Sequence, residues 1–270
     1  MPVNSNIQKI ERLTRLMLIV LAGLLVVLLA LTVTFFATKP SNKPVKNPES
    51  TADGQSSSDS ATDPVILTET PDAGIDYQNS IIFVGDSLTA HIRSRGVLTG
   101  GTATKQVWCP ENNMMNLNSE VTAAKIVYPE TGEKMTVAEA AGRAKPAIMV
   151  ITLGTDWGVS YLSESEFKDC YTDLIKAIQA ASPDTKIILQ SIFPVAQGCK
   201  NLDNTKIDAA NKWVKAIASE NGCRYLDTQS ILKDDKNFLK EEYAESDGIH
   251  LRKDAYVAIL EYIRTHALSD

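Results

Sequence analysis

Apolar positions along this chain fall into three kinds of run. One is unbroken: Leu16 to Ala37 reads LMLIVLAGLLVVLLALTVTFFA, without a charge. The second kind is short and nearly continuous, at Ile81–Val84, Ala147–Leu153, Lys186–Ile192 and Arg224–Leu226, with a weaker example at Thr102–Val107. The third repeats at i, i+3, i+4, as one face of a helix does. Glu164–Ala181 places Phe167, Cys170, Tyr171, Leu174, Ile175 and Ile178 on such a face. Asn204–Glu220 repeats the pattern with Ile207, Ala210, Trp213, Val214 and Ile217, and Lys253–Ala267 with Tyr256, Ile259, Leu260 and Ile263. Ser163 with Glu166 three positions on forms a capping box at the first of these helices. Asn221-Gly222 stops the second. Short, fully apolar strands alternating with amphipathic helices predict an α/β fold, a parallel sheet of about five strands covered on both faces.

The unbroken run is a different object. As a helix, Leu16–Ala37 spans ~33 Å, enough for a hydrocarbon core of ~30 Å. A buried core helix of that length without a polar face is rare. A cleaved signal peptide has a shorter apolar core ending in small residues, whereas Phe35 and Phe36 crowd the one cut site, after Ala37. The segment is therefore expected to be an uncleaved single-pass transmembrane anchor. Lys9, Arg12 and Arg15 before it nearly balance Lys39, Lys43 and Lys46 after it. A short head before a first anchor usually stays in the cytoplasm, and long domains translocate largely regardless of charge. Residues 1–15 are thus read as a cytoplasmic head and the rest as extracytoplasmic, at the cell membrane. Residues 38–76 are rich in Pro, Ser, Thr, Asn, Asp and Lys and read as a disordered linker. Its reach as a flexible tether is ~30–35 Å. Residues 77–270 suit one compact domain.

Charge and cysteine content narrow the field. The net charge of −6 and the lack of a basic stripe argue against nucleic acid as a partner. Cys109, Cys170, Cys199 and Cys223 have irregular spacing and no C-x-x-C, which speaks against a zinc site; buried thiols are the plain reading, with a disulfide left open. Two of the three histidines lack a carboxylate or thiol at ligand spacing, and no phosphate-binding glycine loop is present. No metal or organic cofactor is expected.

Two motifs carry chemistry. Gly85-Asp86-Ser87-Leu88 follows the first apolar strand, and Asp247-Gly248-Ile249-His250 precedes the last helix. Sites in open α/β sheets lie beyond the carboxyl ends of the strands. Ser87, the Gly154-Thr155-Asp156-Trp157 segment, Phe193-Pro194 and the Asp247/His250 loop all fall at that rim. A serine hydroxyl needs a base within reach to act as a nucleophile. An imidazole with a pKa near 6.5 is suited to that task, and a carboxylate can orient it. Ser87, His250 and Asp247 are the candidate triad. His91, one helical turn beyond Ser87, is placed to line the site, although a solvated helix face is the more common role for such a residue; Asp86 reads as a structural acceptor of backbone N–H groups.

On these motifs the chain resembles the SGNH, or GDSL, hydrolases, over residues 77–270. Gly85-Asp86-Ser87-Leu88 is similar to the family's first block and Ser246-Asp247-Gly248-Ile249-His250-Leu251 to its last; Ile151–Trp157 sits where the third block belongs. The resemblance implies a three-layer α/β/α flavodoxin-like fold and a serine esterase. It also implies an oxyanion hole, and here the chain departs. The family's third block supplies a side-chain amide, where this chain has Asp156; its second block supplies a glycine N–H, for which Asn113 is the match by position. An ionised aspartate only accepts hydrogen bonds and repels an oxyanion. Three substitutes are open: a protonated Asp156, the Thr155 hydroxyl, or the amide of Asn112 or Asn113. Trp108 and Trp157 are candidate walls that could stack on a sugar ring.

The leading expectation is a membrane-anchored serine esterase that removes O-acyl (acetyl) groups from cell-wall or surface carbohydrate. O-acetyl transfer to a sugar hydroxyl uses the same triad. A non-catalytic carbohydrate-binding descendant is the rival from another class, motivated by Asp156. Lipase action ranks lower, because no extended apolar stretch in 77–270 offers a lipid-engaging lid.

Overall fold

A computed structural model describes residues 63–268. The expected head, anchor and most of the linker, residues 1–62, lie outside the described residues. Among those described, no helix is long and apolar enough to cross a membrane.

Five parallel strands form the central sheet: β1 (Ile81–Gly85), β2 (Val107–Trp108), β5 (Ile148–Thr152), β6 (Lys186–Gln190) and β7 (Arg224–Leu226), in the order β2-β1-β5-β6-β7. Counting only these strands, the order is 2-1-3-4-5, that of flavodoxin-like folds. Period-two alternation sends side chains to two separate cores. Ile81 and Phe83 of β1, and Ile148 and Val150 of β5, pack with helices α2 (Ser87–Ser94) and α8 (Lys253–Arg264). Val84, Met149 and Ile151 face the other way, into α3 (Val137–Ala144), α5 (Glu164–Ala181) and α6 (Asn204–Glu220). Helix, sheet and helix make the three expected layers. Two single-turn helices, α4 (Gly158–Tyr161) and α7 (Gln229–Leu232), lie in the connections after β5 and β7. The capping box at Ser163/Glu166 forms, with the Ser163 hydroxyl accepting from the Glu166 N–H.

Three stretches differ from expectation. Thr102–Val107 is not a strand: Gly100 (φ +87°) and Gly101 (φ +58°) turn the chain into a 3₁₀ helix at Gly101–Ala103. Pairing is left to Val107 and Trp108, opposite Phe83 and Val84. The part of the predicted linker from residue 63 to 76 is built into the domain. Val65 and Leu67 are buried, and the chain pairs with β7 by Leu67 N–H to Tyr225 O and Tyr225 N–H to Val65 O, both 2.8 Å. This covers a sheet edge that would otherwise present unpaired backbone groups, and the short helix α1 (Gly74–Asn79) follows directly. Residues 110–144, unassigned from the sequence, form the antiparallel pair β3 (Lys125–Val127) and β4 (Lys134–Thr136) and then α3, which starts at a Thr136/Glu139 capping box. All four cysteines are free thiols. Burial pushes Cys109 and Cys223 up to about 12, so both are inert packing groups.

Candidate active site

The nucleophile's position follows from β1. Gly85 ends the strand, and a Cβ there would lie 2.4 Å from the Thr152 carbonyl oxygen and 2.2 Å from Thr89 Oγ1. Only glycine lets β1 and β5 close together at this point. Asp86 then caps α2, its carboxylate accepting from the Leu88 N–H at 3.0 Å. Ser87 is the first residue of that helix, where backbone N–H groups are left unpaired and the helix dipole favours negative charge.

The base arrives from the loop before α8. Ser87 Oγ lies 3.0 Å from His250 Nε2, and His250 Nδ1 lies 2.6 Å from Asp247 Oδ2. The other carboxylate oxygen, Asp247 Oδ1, accepts the backbone N–H of both Ile249 and His250 at 2.9 Å. Burial opposes the charge on Asp247, but the imidazole bond and these two N–H groups outweigh it and hold its pKa at about 2. The three sequence candidates thus form one continuous relay. Asp247 holds the proton-bearing Nδ1, so the Nε2 lone pair faces the serine.

Buried polar side chains hold this loop in place. Asn211 of α6 brackets Ile192, accepting its N–H at 2.7 Å and donating to its carbonyl at 2.9 Å; Asn204 does the same for Val195 at 2.8 Å each. The segment so fixed continues to Ala196, whose N–H donates to the Gly248 carbonyl at 2.8 Å, inside the Asp247/His250 turn. On the opposite side Tyr256 of α8 donates to the Leu88 carbonyl at 2.8 Å. A buried chain of Thr152, Gln190 and Thr228 ties the ends of β5, β6 and the following loop. Tyr256 was visible in the sequence only as a core position of its helix, and the Asn, Gln and Thr residues not at all, since singly they carry no signal without a neighbour.

His91 is not on a solvated face. Its ring packs against that of His250, with centroids 4.7 Å apart and planes tilted by 37°. Burial first, then the nearby His250 and Arg95 charges, lower its pKa and keep it neutral.

The oxyanion candidates separate clearly. Asn113 does adopt a glycine-like backbone (φ +58°), but its N–H donates to the Pro110 carbonyl at 2.9 Å. That N–H is committed to a turn, which corrects its expected role as a backbone donor. Thr155 is buried and makes no side-chain hydrogen bond among the described residues. Asp156 is half-buried, and its Oδ2 is buried without a partner. Burial raises its pKa and the His250 charge opposes the rise. Behind it, the fully enclosed Asp86 is raised further, to about 8, by burial and then by the charge of Asp156. The preceding turn is set by Gly154 (φ +124°), where a Cβ would lie 2.7 Å from Ile192 Cδ1. Trp108 is buried against Tyr128 and does not line the site. Trp157 is exposed and stacks on exposed Tyr161, with centroids 4.5 Å apart.

A serine, an imidazole and a carboxylate aligned at the carboxyl ends of a flavodoxin-like sheet define a serine hydrolase. The sequence model described as GDSL-like Lipase/Acylhydrolase family matches residues 83–258, and the chain belongs to that family of ester hydrolases. No curated protein sequence matches it. Among solved structures, it is similar to an acylhydrolase-like protein from Bacteroides fragilis, with 19% identity and a TM-score of 0.50 over 68% of this chain and 84% of that one. A GDSL-like lipase from Bacteroides thetaiotaomicron matches at 16% identity and a TM-score of 0.49, over 69% and 87%. An acetylxylan esterase from Geobacillus stearothermophilus, solved as a catalytic mutant, matches at 15% and 0.42, over 70% and 94%. The first of these likenesses shows a shared fold.

Proposed function

We propose that this protein is a membrane-anchored, extracytoplasmic esterase that removes O-acetyl groups from cell-wall or surface carbohydrate. The observation that carries the reading is the Ser87–His250–Asp247 relay, at 3.0 Å and 2.6 Å. Ser87 Oγ attacks the ester carbonyl while His250 Nε2 takes its proton. The tetrahedral intermediate collapses, and His250 returns that proton to the departing sugar oxygen. Water, deprotonated by His250, then attacks the acyl-serine and releases acetate.

Two features favour a carbohydrate ester over a lipid. The Trp157–Tyr161 stack follows Asp156 directly and offers an exposed aromatic face of the kind that packs on a sugar ring. An open cleft of about 840 Å³ runs beside Asp247 between Gln197, Lys200, Asp234, Lys236 and Arg252. Such a lining suits hydroxyls better than an acyl chain. The anchor at residues 16–37 and the linker after it would hold the domain near the envelope. The test is acetate release from O-acetylated cell-wall polysaccharide by the full chain in detergent, beside Ser87→Ala. Serine-dependent release supports the reading. Release from p-nitrophenyl acetate but from no carbohydrate refutes the substrate class, and transfer of acetate to an added sugar acceptor in place of water makes the protein an O-acetyltransferase.

A further inference from the structure

Three side chains along α2 and at its end, spaced four residues apart, meet the loop that carries the base. Ser87 Oγ lies 3.0 Å from His250 Nε2. One turn on, the His91 ring packs on the His250 ring, with centroids 4.7 Å apart and planes tilted by 37°. One turn further, Arg95, the C-cap of α2, pairs with Glu245 at 2.5 Å, and the Glu245 N–H donates to the His250 carbonyl at 2.9 Å. Positions four apart share a helix face, so nucleophile, ring and ion pair form one stripe against residues 245–250. The middle member is not there for a hydrogen bond through Nδ1: His91 is half-buried, and that nitrogen is buried without a partner among the described residues. What it offers His250 is the face of a ring.

The catalytic imidazole has use for one. Its bonds to Asp247 and Ser87 both lie at the ring edge, and hydrogen bonds bend considerably before they weaken steeply. The Ser87 bond is also temporary. Once Ser87 is acylated its oxygen has no proton to give, and Asp247 holds the imidazole by one edge. At that stage Nε2 must still orient and deprotonate a water.

We propose that His91 is a positioning residue of the esterase: its ring backs the His250 imidazole and fixes its plane through deacylation, when the Ser87 hydrogen bond is gone. The proposal rests on the esterase reading above. A neutral aromatic ring also tolerates the positive charge that His250 gains with each proton it takes, whereas a second cation in that place would oppose it. The charged and titratable groups around His91 are His250, Asp247 and Glu245 from the loop and Arg95 from the end of its own helix. Burial first, then the His250 and Arg95 charges, lower its pKa against the pull of the two carboxylates. The ring therefore stays neutral while the base titrates beside it.

The experiment follows p-nitrophenyl acetate hydrolysis from the first turnover, with the full chain in detergent. His91→Leu fills the space without a flat face, and His91→Phe restores the face without the nitrogens. In His91→Leu the steady-state rate set by deacylation should fall ~10-fold or more, within the ~100-fold that a misplaced group can cost, while the p-nitrophenol burst that reports acylation falls less than ~3-fold. His91→Phe should recover roughly a third or more of the wild-type steady-state rate. Equal losses in both phases, as a general loosening of the fold would give, overturn the proposal, and so does a His91→Phe enzyme no faster than His91→Leu. Should His91→Leu not fold, His91→Met, flexible and apolar, supplies the same comparison. The acid limb of the steady-state rate should keep its position in His91→Phe, since a neutral ring takes up no proton there. A displacement of about one pH unit or more would make His91 a proton carrier and refute the packing role. Proton NMR reads the contact without turnover: the His250 Nδ1–H should exchange with water faster in His91→Leu than in wild type or His91→Phe, and unchanged exchange refutes the proposal. Wild type with that protected proton but without Ser87-dependent hydrolysis would refute the esterase reading while leaving the ring contact in place.

Discussion

Replacing Asp247 by asparagine should be more damaging than removing the side chain to alanine, and the reason lies in hydrogen-bond polarity. Asp247 Oδ1 accepts two backbone N–H groups, from Ile249 and His250, at 2.9 Å. An asparagine must keep its carbonyl oxygen there, since its NH₂ group would face two donors. The NH₂ group is therefore forced to the Oδ2 position, 2.6 Å from His250 Nδ1. It can only donate to that nitrogen, so the imidazole must carry its proton on Nε2. That proton then points at Ser87 Oγ, 3.0 Å away, and the base is lost. The corresponding change in trypsin-like serine proteases, which also traps the wrong tautomer, lowers kcat by ~10⁴, which is ~5.5 kcal/mol of barrier. A similar loss is expected for Asp247→Asn on p-nitrophenyl acetate. Asp247→Ala leaves Nδ1 to water, allows both tautomers, and should retain more activity than Asn. Nitrogen-15 NMR of His250 should show Nδ1–H in wild type and Nε2–H in Asp247→Asn. An Asn variant with a tenth or more of wild-type kcat, or one more active than Ala, would refute the tautomer argument.

Asn211→Ala leaves the buried N–H and C=O of Ile192 unpaired. At ~1–3 kcal/mol per group it should cost ~2–6 kcal/mol in urea unfolding, with a fall in kcat because the 192–196 segment holds Gly248. A loss under ~1 kcal/mol would show that the bracket is dispensable. Trp157→Ala should raise KM for an O-acetylated oligosaccharide by a factor equivalent to ~0.5–1.5 kcal/mol and leave p-nitrophenyl acetate kinetics nearly constant; equal effects on both substrates would remove the sugar-stacking role. The pKa of Asp247 is lowered in the folded state, to about 2. Its contribution to stability is therefore complete above the unfolded value of ~3.9 and lost as pH falls through about 2. In acid titrations, Asp247→Ala should narrow its stability deficit only below about pH 4; a deficit that narrows at higher pH would contradict the assignment.

What was legible in the sequence was what a single segment can state. β1, β5, β6 and β7 are apolar because both faces are buried, and α5, α6 and α8 carry their burial as a 3.6-residue period. Ser87, Asp247 and His250 could be read because each motif pairs an unusual residue with a strand end or helix start. The Thr136/Glu139 capping box obeys the same rule, yet α3, which it starts, is absent from the sequence reading. The missed features are those written in two places at once. Val65 and Leu67 look like an interruption in a polar linker until Tyr225 offers its backbone. His91 looks solvent-facing until the loop from residue 250 folds over it. Asn211 lies within α6, a poor place for asparagine on propensity alone, and Asn204 is the first residue of that helix; the reason for both is the backbone of another segment.

The same distinction explains the oxyanion hole. Asn113 was the match for a glycine by position only, and its backbone is left-handed. A local turn to Pro110 already uses its N–H. At position 156 the sequence displayed the departure openly, an acid where an amide belongs. Its consequence could not be read there, because the sign of the effect depends on protonation, and protonation depends on a neighbour 70 residues earlier. Asp86 taken alone is a helix cap, and Asp156 alone is a broken donor. Burial raises Asp86 to about 8 and raises Asp156 as well, so the charge at residue 156 is set by its enclosure and its neighbours rather than by its residue type.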